Sequence, residues 1–185
     1  WGIELGLARA SNCWIWRHDT LKHLVAADIV AAGLECVVEV TTLFAPHIPA
    51  QAYTRARKAR PTTRHGLVPD GAIRGWSPGS PEARPGWQMF ELKTVNTNIN
   101  PSGLYQTGLR SEDGMHRGAD EREARVPREY KAKADKFDRT YCGTSRADQD
   151  AGRPGPLRQA LDGFPEVRPL AFGGYGEAGG GVRRL

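Results

Sequence analysis

The chain has 185 residues, enough for one ordinary domain with its own core. It is 39% hydrophobic and 25% charged, a globular balance, and no apolar run is long enough to cross a membrane, so a membrane partner is not expected. With 26 Lys and Arg against 21 Asp and Glu, the net charge is +5 and the pI about 9.3, which favours a polyanionic partner without choosing one.

Cys13, Cys36 and Cys142 are far apart and odd in number, which argues against a disulfide framework. A reducing, intracellular compartment is expected, the nucleus if the source is eukaryotic. The sequence opens on Trp1 rather than Met and reads as a fragment or excised domain. Residues 1–16 have no clear period, and Trp1, Trp14 and Trp16 suggest packing against a neighbouring part of a parent chain. This segment is therefore set apart from a domain over 17–175 and a glycine-rich tail over 176–185, too rich in glycine to hold structure alone.

Asp19 or Thr20 can cap a helix that carries Leu21, Leu24, Val25, Ile29 and Ala32 at helical spacing and ends at Gly33. Residues 35–42 are rich in β-branched side chains and read as a strand. A proline-bearing connection follows over 45–66, and its basic run of Arg55, Arg57, Lys58, Arg60 and Arg64 suits a short helix. Residues 68–74 and 88–95 read as two more strands, separated by a loop dense in glycine and proline. Residues 96–117 are polar and expected to be irregular. Pro127 suits the first turn of a helix on which Tyr130, Ala134, Phe137 and Tyr141 recur at helical spacing. A polar loop over 143–156, a short helix over 157–161 and a fourth strand over 166–172 complete the order α-β-β-β-α-β, a small mixed sheet flanked by helices.

The chemistry-bearing pattern is Pro69-Asp70 followed, twenty residues on, by Glu91-Leu92-Lys93. Side chains alternate across a strand, so Glu91 and Lys93 share a face, and hairpin-like pairing of the two strands brings Asp70 beside Glu91. Two such carboxylates repel unless a cation lies between them. A hard divalent ion, Mg²⁺ or Mn²⁺, fits oxygen ligands, and the Leu92 carbonyl can add one. Such an ion polarises a phosphate and activates water, while Lys93 orients or deprotonates that water or screens charge on the phosphate. An E-x-K pair alone is usually a solvated face; the Pro-Asp on its own strand raises the case for a site. Asp28 falls on the apolar stripe of the first helix, where it either joins the ion as a further ligand or sits at the stripe's edge and reaches solvent. Glu39 is another candidate acid.

This Pro-Asp…Glu-x-Lys pattern in an αβββαβ order resembles the PD-(D/E)XK, or restriction-endonuclease-like, nuclease superfamily, over about residues 17–141 and the strand at 166–172. Arg17-His18-Asp19, the helix ending near Gly33, the strand VVEV and the helix bearing Tyr130 and Lys133 are further similar to the restriction-like endonuclease domain of site-specific non-LTR retrotransposons. The resemblance implies a Mg²⁺-dependent deoxyribonuclease. Asp70 and Glu91 would hold the metal, Lys93 would serve the attacking water, Lys133 would contact phosphate or assist, and His18 would tie the first helix to the core.

The five cations over 55–64 and the helix bearing Lys131, Lys133, Lys136 and Arg139 suit DNA phosphates; a solvated face is the alternative for either. Tyr53 and Trp76 can stack on bases or pack in the core. A homodimer would supply two sites for two strands. Cys13, His18 and His23 lack a fourth partner and a common zinc spacing. Two functions from different classes follow: a metal-dependent DNA endonuclease, or a nucleic-acid-binding domain of a larger, retroelement-like protein that does not cut.

Overall fold

The computed structural model describes residues 13–41, 43–59, 67–74, 86–95, 112–173 and 178–183. Helix α1 spans Cys13–Ala31, strand β1 Glu35–Val38 and helix α2 Ala50–Ala59. Strand β2 covers Gly71–Arg74, β3 Trp87–Val95 and the long helix α3 Glu112–Phe137. Two short helices follow, α4 (Arg146–Asp150) and α5 (Pro156–Asp162), then strand β4 (Arg168–Gly173) and a last turn, α6 (Gly180–Arg183).

The chain is mixed α/β, and its four strands form one sheet in the order β1-β2-β3-β4. β1, β2 and β3 pair antiparallel, and β4 joins β3 in parallel after the crossover that contains α3. Each sheet face buries its own helix. Ile73, Phe90, Leu92 and Leu170 pack with Val25 and Ile29 of α1. Met89, of opposite parity along β3, packs with Val126, Tyr130 and Ala134 of α3, together with Phe44, Leu157 and Leu161.

The expected αβββαβ order is present with α2 between β1 and β2, but β1 ends at Val38 rather than residue 42, β2 begins at Gly71 and leaves Asp70 just outside it, and three helical elements differ. First, α1 begins at Cys13, so it runs across the expected boundary at residue 17, and Asp19 is no cap; its carboxylate takes the Lys22 ammonium at 2.9 Å. Gly33 does close the helix, at φ +82°. Second, α3 continues through Pro127 from Glu112. Ala119, Glu123, Val126, Tyr130 and Ala134 are all buried along one stripe, and this packing outweighs the N–H that proline removes. Third, the expected loop over 143–156 contains α4, opened by a capping box in which Ser145 accepts from the Asp148 N–H at 3.0 Å.

Residues 178–183, the described part of the glycine-rich tail, are held by α3. Glu123, buried, accepts from the N–H groups of Ala171 and Gly181 at 3.0 and 2.8 Å, and Asp120 accepts from the Gly180 N–H at 2.6 Å. A second buried carboxylate, Asp138, stands in the π-helical turn after α3 (Asp138–Cys142). It accepts from the N–H groups of Leu157 and Arg158 at 3.1 and 2.9 Å and so caps α5 from outside its own segment. Its bond to Cys142, behind burial as the main cause, helps push that thiol up to about 12.

Replacing Asp138 by Ala takes the acceptor from one buried and one part-buried N–H group. The expected cost is about 2–4 kcal/mol, read as a fall in the urea midpoint, with Asp138→Asn losing less. An unchanged midpoint in Asp138→Ala would remove the capping role.

Candidate active site

The register of the sheet assembles the candidate site. β2 and β3 pair Gly71 with Phe90, so one further step sets Asp70 opposite Glu91. β1 and β2 pair Val38 with Gly71, and the next step sets Glu39 opposite Asp70. There the Glu39 N–H donates to the Asp70 carbonyl at 2.9 Å. Glu91 and Lys93 share the parity of Met89 and so lie on the side covered by α3, while Asp70, one step outside β2, reaches the Leu92 N–H and His18 of α1. Gly71 permits this register: a Cβ there would lie 2.2 Å from the Phe90 ring.

Asp70 carries two bonds. Its Oδ2 accepts from the Leu92 N–H at 2.8 Å, and its Oδ1 lies 3.1 Å from His18 Nε2. The side chain thus stands where a strand partner to Leu92 would otherwise be. Pro69, which the register sets opposite Leu92, has no N–H to give the Leu92 carbonyl. N–H and C=O of one strand residue point to the same side, so that carbonyl faces the Asp70 side of β3.

Glu91 is 6% exposed and shared by two donors. Oε1 accepts from Lys93 Nζ at 2.5 Å, and Oε2 accepts from the Tyr130 hydroxyl on α3. Burial, with the negative charge of Glu91, raises the Tyr130 pKa above the usual phenol range, so the hydroxyl remains a donor. Beside the site, Lys22 is 3% exposed and paired with Glu39 at 2.6 Å and Asp19 at 2.9 Å. Burial alone would lower its pKa, but the two carboxylates outweigh it and the net shift is upward. Glu39 has a φ of +50°, which ends β1 and swings its backbone out of the strand path.

The three motif residues are therefore brought together. Asp28 is not among them: it is exposed on α1, ten residues and roughly 15 Å of helix from His18, the α1 residue that does reach Asp70. Of its two expected positions, ion ligand or stripe edge in solvent, the second holds, because the buried stripe follows Val25 and Ile29 and residue 28 lies outside it. His18 ties α1 to the core as expected, through a candidate site acid. Arg55 is exposed and donates to the Tyr141 carbonyl at 2.6 Å, which joins α2 to the end of α3. Arg57 and Lys58 lie on α2 with side chains outside the described residues, as are Arg60, Arg64 and Trp76 altogether. Lys131, Lys133 and Lys136 are exposed on α3, with Lys133 Nζ 5.2 Å from the Tyr130 ring centre. Tyr53 packs against the core. His23 is exposed, and Cys36 and Cys142 are free thiols.

Tyr130, Lys22 and Glu129 are additions that the motif did not reveal. Arg122 grips both carboxylate oxygens of Glu129, and this bond, ahead of the nearby charges of Lys93 and Lys133, holds the Glu129 pKa below its usual value. Tyr130 sits at helical spacing on an apolar stripe, and spacing alone gives its hydroxyl no destination. Among the described residues, no three His, Cys, Asp or Glu side chains converge as a metal cage. The oxygen ligands available at the site are two carboxylates and a backbone carbonyl, with the Lys93 ammonium beside them.

No known protein family, no curated protein and no solved structure matches this chain.

The His18–Asp70 pair makes stability depend on pH. The bond to Asp70 raises the His18 pKa above its usual 6.5, against the opposing effect of burial. The protonated ring therefore stabilises the fold fully below the unfolded-state value, and that contribution is lost as pH rises through the higher folded-state value. In EDTA, the gap in urea midpoint between wild type and His18→Gln is expected to be widest below the usual histidine value of about 6.5 and to shrink as pH rises above it. A gap that widens with pH would reverse the assignment.

Proposed function

We propose that this chain is a metal-dependent endonuclease that hydrolyses DNA phosphodiester bonds on a restriction-endonuclease-like fold. The observation that carries the proposal is the register that sets Asp70 opposite Glu91, with Lys93 bonded to Glu91 and Leu92 bonded to Asp70. The αβββαβ order and the mixed sheet support the fold assignment.

The donor set fits a hard divalent ion. Carboxylates and a carbonyl are oxygen ligands, and Mg²⁺ is commonly held by one or two carboxylates with water in its other positions. Asp70, Glu91 and the Leu92 carbonyl would hold Mg²⁺ or Mn²⁺. Each carboxylate oxygen has lone pairs beyond the one its present partner uses. When bound, such an ion polarises the scissile phosphate and makes water more acidic.

The chain's own residues supply the rest. Lys93 keeps an ammonium on the Glu91 oxygen, beside the phosphate position, where it orients the attacking water and screens charge gathering on phosphorus. Water adds to phosphorus in line and releases a proton to solvent, the bond to one flanking sugar oxygen breaks, and that oxygen takes a proton from solvent as it leaves as an alcohol. His18 and the Leu92 N–H fix Asp70 from two sides. The exposed Lys131, Lys133 and Lys136 offer charge to the DNA backbone, which gives affinity without sequence reading.

Supercoiled plasmid with Mg²⁺ or Mn²⁺ tests this directly. Wild type is expected to nick or linearise it. Asp70→Asn, Glu91→Gln and Lys93→Ala should each lose about a hundredfold or more in rate while keeping salt-sensitive DNA binding in a gel shift. Equal cleavage by wild type and Asp70→Asn would overturn the assignment. Salt-sensitive binding with no cleavage by wild type would favour a binding domain that does not cut.

A further inference from the structure

Glu91 receives donors from two different elements, and they take different oxygens. Lys93, two residues along the same strand, holds Oε1; Tyr130, on the helix covering this face, holds Oε2. The Tyr130 ring is 2% exposed and packs with Met89, Val126 and Ala134. A buried hydroxyl needs an acceptor, and a main-chain carbonyl would meet that need at lower cost than an ionised carboxylate. Here the phenol instead lies on the acid of the E-x-K motif. The neighbouring carboxylates Glu123 and Asp138 are held by backbone N–H groups, which cannot rotate away. The partners of Glu91 are side chains.

We propose that Tyr130 is a positioning residue for the metal-binding carboxylate: its hydroxyl pins Oε2 of Glu91, so that Oε1, the oxygen shared with Lys93, is the one presented to the cation. The proposal rests on the nuclease assignment above and adds a part that the motif does not contain. Hydrogen bonds to the outer oxygen of a ligating carboxylate set its orientation and its affinity for a cation. α3 thereby connects to the site through one phenol, with the Lys133 ammonium above its ring.

The test is Tyr130→Phe, which removes the hydroxyl and leaves a ring that fills the same space. Mn²⁺ affinity, measured by electron paramagnetic resonance on the whole chain without DNA, is expected to weaken roughly tenfold to a hundredfold, with the thermal midpoint little changed. In plasmid cleavage at saturating Mn²⁺, kcat should fall while KM for DNA stays the same. Tyr141→Phe, the same change against the same core, should leave Mn²⁺ affinity unaltered. If Tyr130→Phe binds Mn²⁺ as wild type does while Asp70→Asn does not, the positioning role is overturned and the site assignment stands. If the variant loses affinity only along with its cooperative melt, the hydroxyl is structural and the proposal is overturned. If wild type and Asp70→Asn bind Mn²⁺ alike, the nuclease assignment falls and takes this proposal with it.

Discussion

One hydrogen bond organises the centre of this molecule: the Leu92 N–H donates to a side chain, Asp70 Oδ2, where a strand would normally offer a backbone carbonyl. The β2–β3 ladder stops at Gly71 and Phe90, and the chain hands over from backbone pairing to carboxylate pairing in the next step. That handover fixes Asp70 beside Glu91 without asking either side chain to find the other. Pro69 takes part by having no donor to continue the ladder, and Gly71 by having no Cβ to push Phe90 away. The price is a cluster of charge at the end of a sheet, and it is offset locally: His18 on Asp70, Lys93 on Glu91, and Lys22 on Glu39.

The other buried acids show what a structural carboxylate looks like in this chain. Glu123 and Asp138 each accept two backbone N–H groups and bind distant segments: the tail to α3 in one case, α5 to the turn after α3 in the other. Their partners are fixed by the fold. Glu91 is different, because both of its partners, Lys93 and Tyr130, are side chains, and Asp70 stands between the two cases, with one bond from the Leu92 N–H and one to His18. A buried ion pair is weak evidence for stability.

Much of this was legible from sequence because it rests on strict periods. Strand alternation placed Glu91 and Lys93 on one face, β-branched and glycine-proline punctuation marked the strands, and the order α-β-β-β-α-β followed. What escaped depends on packing rather than period. α1 extends past its apparent cap because Asp19 found Lys22 instead of a backbone N–H. Pro127 looked like a start and lies inside α3, since a stripe of buried residues on both sides of it outweighs one lost bond. Of the two readings of Asp28, ion ligand or stripe-edge residue, the helix gives the one in solvent; His18 ties α1 to the core as expected, and spacing alone does not show that Asp70 is the acid it reaches. Nothing in a linear pattern says where a tyrosine hydroxyl on an apolar stripe will end, so Tyr130 is visible only in three dimensions.

The tail has a consequence for the sheet's edges. β1 forms one edge, and it is four residues long and stopped by the left-handed Glu39, too short and too abruptly turned to recruit a foreign strand. β4 forms the other edge and is the longer of the two, with Leu170 and Ala171 within it wholly buried. The tail returns to cover that edge: Ala178 bridges Phe172, and the Gly179 N–H donates to the Ala171 carbonyl at 2.9 Å. A stretch whose composition suggests loose chain thus acts as a guard against edge-to-edge association, and Glu123 is the latch that keeps it closed.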